Sequence, residues 1–174
     1  EGTELEAISR EHGFRDVFLN PPDVGGRYSV LTYFGMVPAV LMGMDVQLLL
    51  DRSAIMRDDC GPNVPVDVNP GAQLGAIIGG MALQGRDKLT LVTSPSLSGF
   101  GLWVEQLIAE STGKEGRGII PIVGEPIAPS ECYGQDRVFV YLCREGDHND
   151  EVDTAMLEIE ASGHPVVRLV LHDI

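Results

Sequence analysis

Apolar positions along this chain follow two rhythms. In the first part they recur at helical spacing. Residues 3–12 predict a short helix, and 45–59 (DVQLLLDRSAIMRDD) a longer, more polar one. Between them, 16–20 (DVFLN) reads as a short apolar strand and PPDVGG as a turn. Tyr28 to Met44 carries no charge over 17 residues, the lower limit for a membrane span, but two glycines and Pro38 interrupt it. A buried core helix, kinked or broken near Pro38, is the expected structure there. Residues 60–71 (CGPNVPVDVNPG) hold three prolines and two glycines and predict an irregular connector.

Beyond the connector the two rhythms alternate. Helical patterns at 72–85, 98–112 and 149–162 separate continuously apolar runs at 87–94, 117–124, 136–143 and 164–173. A strand that is apolar at every position is covered on both faces, which is the mark of a parallel sheet between helices. The expected fold is a three-layer α/β/α sandwich of flavodoxin-like type, a single domain over 1–174. Ligands of such sheets sit at the carboxyl ends of the strands. That directs attention to loops 20–27, 94–99, 123–135 and 143–149.

Charge narrows the function classes. The formal net charge is -14, which disfavours nucleic acid, since phosphate binding needs a basic patch. The cysteines are Cys60, Cys132 and Cys143, an odd number without C-x-x-C, and predict a reduced, cytoplasmic setting. No signal-peptide pattern opens the chain, and a missing initial Met suggests a piece of a longer protein. His12, His148, His164 and His172 show no metal-ligand spacing, so no metal site is expected.

Three stretches carry candidate chemistry. In EQLIAESTGKEG (105–116), Glu110 falls in the last turn of a helix that Gly113 should stop. The helix dipole makes a carboxylate unwelcome there. Phe100, Trp103, Val104, Leu107 and Ile108 form the expected buried stripe, and Gln106 and Glu110, four apart, flank it on the Trp103 side. Partial burial and the helix end would both raise the carboxyl's pKa, as suits a general base. The plainer alternative is a half-exposed Glu on an amphipathic helix. In GGR (25–27), two glycines permit close approach of a ligand, and Arg27 projects at a helix start, where an anion should compensate it. A Gly-Gly turn with a surface arginine is the alternative. TSPSLSGFG (93–101) follows a strand; its hydroxyls and N–H groups could hold a phosphate, although Ser98 as a plain N-cap explains it more simply.

Together these stretches resemble the glucose-6-phosphate isomerase family. DVGGRYSVLTYFG, followed by GRDKLTLVTSPSLSGFGLWVEQLIAESTGKEGRGIIPI, joins a G-G-R-[FY]-S motif to a Q-x-x-x-E-S-x-G-K motif, a conjunction far more specific than either alone. The likeness covers most of 14–126 and is nearest to the isomerase part of bifunctional transaldolase/glucose-6-phosphate isomerases. It implies a sugar isomerase (SIS) fold and interconversion of glucose 6-phosphate and fructose 6-phosphate. It implies that Glu110 moves the proton between C2 and C1, that Arg27 stabilises the enediolate, and that Gln106 and Gly26 contact the sugar. It implies no metal and no cofactor; a homo-oligomer is compatible with it, and neither nucleic acid nor membrane is an expected partner. The family's phosphate loop and ring-opening lysine match nothing in this sequence, and Asp136 stands where its histidine would be. The alternative from another class is a non-catalytic, sugar-phosphate-binding regulatory SIS module.

Overall fold

The structure is a computed structural model and describes residues 2–172. The chain divides into two compact units, residues 1–69 and 70–174, and the division falls inside the predicted connector.

The first unit is helical. Helix α1 (Glu4–Glu11) is capped by Thr3, whose hydroxyl accepts from the Glu6 N–H at 3.3 Å. Residues 16–20 are irregular instead of a strand: among the described residues of this unit there is no strand to take up their backbone groups. A 3₁₀ turn over Gly26–Leu31 leads into α2 (Tyr33–Leu41), which Thr32 caps. Pro38 is accommodated within α2, a short helix where only one internal hydrogen bond is forfeited. Helix α3 (Val46–Asp59) starts at Asp45, whose carboxylate accepts from the Leu48 N–H at 3.0 Å. The expected buried helix is mostly not buried: among the described residues of this unit only Met36 and Ala39 are buried apolar residues, while Phe34, Val40, Leu41 and Met42 are exposed.

The second unit is the α/β part. Its order is α4 (Pro70–Leu83), β1 (Lys88–Thr93), α5 (Phe100–Thr112), β2 (Ile120–Val123), β3 (Arg137–Arg144), α6 (Asp150–Ala161) and β4 (Val166–Leu171). The four strands form one sheet in the order β2-β1-β3-β4, and all pairings are parallel. Leu89, Leu91, Val138 and Val140 face one side, against Leu74, Ile78 and Met81 of α4 and Val104 and Ile108 of α5. Phe139 and Tyr141 face the other, with Met156 and Ile159 of α6 and with Tyr133. The result is the expected three-layer α/β/α sandwich. Each such side chain taken fully out of water contributes about 1.5–3 kcal/mol. The link from β2 to β3 carries no α-helix: it folds back over the Phe139 face as a loop, pinned by the Tyr133 hydroxyl, which accepts from the Ala128 N–H at 2.8 Å. Pro121 sits in β2, an edge strand, where a missing N–H is tolerated.

Among the described residues no helix is long and apolar enough to cross a membrane, and no three His, Cys, Asp or Glu side chains are grouped to hold a metal ion. All three cysteines are free thiols. His164 is buried edge-on between Tyr133 and Phe139, and His148 lies exposed in its loop.

Candidate active site

Helix α5 is positioned by what it lacks at its start. A Cβ on Gly101 would fall 2.1 Å from Val123 Cγ1, so glycine is what lets the helix lie close to β2. No side chain caps it: the N-cap is Gly99, and Ser98 belongs to the preceding turn, not to the cap as expected. The buried stripe is also narrower than its pattern suggested. Val104, Leu107 and Ile108 are half-buried, but Trp103 is 38 % exposed and Phe100 41 %. Their rings meet in a tilted contact, centroids 5.4 Å apart.

The other end of α5 is firmly staked. The Gly113 N–H donates to the Ala109 carbonyl at 2.9 Å, and a Cβ on Gly113 would press within 2.7 Å of that same oxygen. Thr112 Oγ1 donates to the Ile108 carbonyl at 2.8 Å and accepts from the Ile119 N–H at 2.9 Å, tying the helix end to the strand that follows. Between them, Lys114 and Arg117 exchange backbone hydrogen bonds of 2.8 and 2.9 Å across Glu115 (φ 53°) and Gly116 (φ 74°). Two left-handed residues in succession make the tight reversal of a two-residue hairpin.

Glu110 stands in this staked last turn. It is exposed, not half-buried as expected. Gln106 Nε2 donates to Glu110 Oε1 at 3.3 Å, so the two residues sharing a helical face also share a hydrogen bond. Because α5 runs against the strands, the pair lies level with their amino ends, near the entry to β2. The carboxyl-end expectation does not describe where this carboxylate sits.

Gly26 and Arg27 open the 3₁₀ turn of the first unit. The turn is held by the Tyr28 N–H donating to the Gly25 carbonyl at 2.9 Å and by Ser29 Oγ donating to the Gly26 carbonyl at 2.7 Å. Arg27 is half-buried, its guanidinium 6.0 Å from the centre of the Tyr28 ring. A Cβ on Gly26 would meet nothing within 4 Å, so no neighbour within the chain calls for glycine there. The structure therefore brings Gln106 to Glu110 and Gly26 to Arg27, one pair in each compact unit.

Asp136 is bound up in structure. Lys88 Nζ lies 2.9 Å from Asp136 Oδ2 and 2.9 Å from Asp87 Oδ1. The Lys88 hydrogen bond holds the Asp136 carboxyl below the usual carboxylate range; the Asp87 and Asp136 hydrogen bonds raise Lys88 above its ordinary value. Nearby, Arg137 Nη1 donates to Thr90 Oγ1 at 2.9 Å and pairs with Glu125. A second polar cluster, around Ser94, Ser96, Arg144 and Asp147, joins the loops after β1 and β3. Its two halves, Ser94 with Ser96 and Arg144 with Asp147, are about 50 residues apart in sequence, and the parallel pairing of β1 with β3 makes them neighbours.

No protein-family model matches the chain. Among curated proteins it is similar to the glucose-6-phosphate isomerases of Bacillus thuringiensis (strain Al Hakam) and Bacillus cereus (strain AH820), 34% identical to each over 118 residues. It is 33% identical over 118 residues to the glucose-6-phosphate isomerase of Bacillus anthracis. Each match takes in 67% of this chain and 26% of the relative, so the chain spans about a quarter of the length of these relatives.

Proposed function

The chain is a homologue of glucose-6-phosphate isomerases over two-thirds of its length, and on that premise we propose that it is the part of such an enzyme that carries the proton-transfer residues. In this reading it acts on glucose 6-phosphate and fructose 6-phosphate, as an SIS-type segment of a longer cytoplasmic protein. A fused transaldolase part and assembly with further copies of the chain belong to the same proposal.

Glu110 is the base. It takes the proton from C2 of the open-chain aldose and delivers it to C1, passing through an enediolate. A positioned carboxylate can take up a proton and return it, which is what general base catalysis asks of it. Gln106 keeps one carboxylate oxygen engaged, which orients the other toward the sugar, and itself contacts the substrate. Arg27 sets its guanidinium against the oxygen that gains charge in the enediolate. Gly26 leaves the space that the sugar enters. No metal or nucleotide takes part in this transfer.

The observation that carries the reading is the Gln106–Glu110 pair on the exposed face of a helix end that Gly113, Thr112 and the 114–117 reversal hold in place. The test is a coupled isomerase assay on the full-length natural protein. Glu110→Gln should lower kcat at least ~100-fold, the lower end for a lost general base, and leave the folded state intact by circular dichroism. Arg27→Ala should lose rate with a smaller change in KM, since it acts on charge that develops after binding. Full turnover in folded Glu110→Gln would end the assignment.

A further inference from the structure

Parallel sheets bind ligands where the strand order reverses, in the crevice beyond the strands' carboxyl ends. Here that point lies between β1 and β3: the chain leaves β1 for β2 on one side and continues with β3 on the other. Two loops meet there. One is Ser94–Gly99 after β1, the hydroxyl-rich stretch whose chemistry suits a phosphate. The other is 145–149 after β3.

The crevice is built with care and is already full. Ser94 is fully buried; its N–H donates to the Leu142 carbonyl at 2.9 Å and its Oγ accepts from the Arg144 N–H at 2.8 Å, which closes the ends of β1 and β3 together. Above it, Ser96 turns both its donors on one oxygen. Its Oγ lies 2.6 Å from Asp147 Oδ2 and its N–H 3.3 Å from the same atom. The Arg144 guanidinium approaches the other carboxylate oxygen at 3.5 Å. The Asn149 side chain donates to the Arg144 carbonyl at 3.1 Å and so holds the second loop in register. A hydroxyl, a backbone N–H and a guanidinium converging on two oxygens of one anion is the donor set that receives a phosphate. The anion is the protein's own: the Asp147 side chain is only 13% exposed. The Ser96 hydroxyl's hydrogen bond, foremost, holds that carboxyl below the usual carboxylate range, so it is charged at neutral pH.

We infer that Asp147 is a resident carboxylate that closes the crevice between β1 and β3 to phosphate groups, and that Ser96 and Arg144 become an oxyanion site only when it is removed. The inference stands apart from the isomerase reading. If both hold, the sugar's phosphate is anchored elsewhere than on the loop after β1. Two physical terms keep a phosphate out. It would compete with an intramolecular carboxylate for the same donors, at the effective concentration of a tethered group. It would also bring a second anion within reach of the first, which is repulsive.

The experiment titrates the ¹⁵N-labelled 174-residue chain with inorganic phosphate at pH 7 and constant ionic strength, following the amides of Ser96 and Arg144. Chloride serves as the control anion. In the wild type these amides should not move in a saturable way. In Asp147→Ala they should, with an affinity at least roughly tenfold above any wild-type response, the scale of one charge-assisted hydrogen-bond set released. Asp147→Asn preserves the volume and should bind more weakly than Asp147→Ala but more tightly than the wild type; it decides the matter if the alanine variant is not folded. Adding Ser96→Ala to either variant should abolish the shifts. Saturable phosphate binding at Ser96 in the wild type would overturn the inference. So would a folded Asp147 variant, judged by its amide dispersion, that takes up no phosphate.

Discussion

Lys88 is held between two carboxylates, and the pH response of the second unit should show it. The Asp136 carboxyl titrates below its ordinary value of 3.8 because Lys88 bonds it. Its stabilising contribution is therefore complete above that value and is lost as pH falls through the lower, folded-state one. Lys88 titrates above 10.5, chiefly through Asp87 and then Asp136, so its contribution is complete below 10.5 and is lost as pH rises through the folded-state value. All three side chains are partly exposed, so the effect is modest. Lys88→Met should flatten part of the fall in stability below pH 3.8 and part of the fall above 10.5. Urea midpoints measured across the pH range decide it; identical acid limbs in variant and wild type would show that the pair is energetically silent. Asp147 contributes its own acid limb and should survive the substitution, since it answers to Ser96.

Helices and strands here are placed by close approaches that single side chains permit. The clearest is α5 on β2. Adding one methyl at Gly101 sets it 2.1 Å from Val123 Cγ1, and the nearest atom of any other residue, Leu91 Cδ2, is 3.8 Å away. The clash is therefore with one short, β-branched residue that cannot swing aside. Gly101→Ala should destabilise the second unit by about 1–3 kcal/mol, the usual cost of overpacking, despite alanine's better helix propensity. Val123→Ala in the same chain should recover a good part of it, and a double-mutant cycle in urea reads the coupling. Additive costs would mean that α5 simply shifts. Since α5 carries Gln106 and Glu110, the same cycle run on isomerase rate in the full-length protein reports whether the helix's seat matters to the proposed chemistry.

Stability over the whole molecule should be uneven, because burial is. Residues 70–174 contain two clusters of buried apolar side chains on the two faces of one sheet, whereas among the described residues of 1–69 the buried apolar side chains are Met36 and Ala39 alone. Exchange of amide hydrogens for deuterium should accordingly be slowest in β1 and β3. It should be fast in α2 and α3, where local opening exposes little that was not already wet. Equal protection in α2 and β3 would contradict this. The amino-acid sequence determined the rhythm of the second unit on its own: uninterrupted apolar strands between helices leave no arrangement but a sheet covered on both sides, and all four strands are parallel as that pattern requires. It also located the helix end at Gly113 and the pairing of Gln106 with Glu110, because both depend on neighbours within one turn. Tertiary structure decided the rest. Residues 16–20 have a strand's composition, but the described residues of their unit include no strand to bond. Trp103 lies on the side of α5 that the sheet does not reach, so a periodic apolar residue stays exposed. Asp147 and Ser96 find each other only through the order of β1 and β3. Periodicity reports which face of an element is apolar; what that face meets, and which distant loop closes over it, is set by the packing of the whole chain.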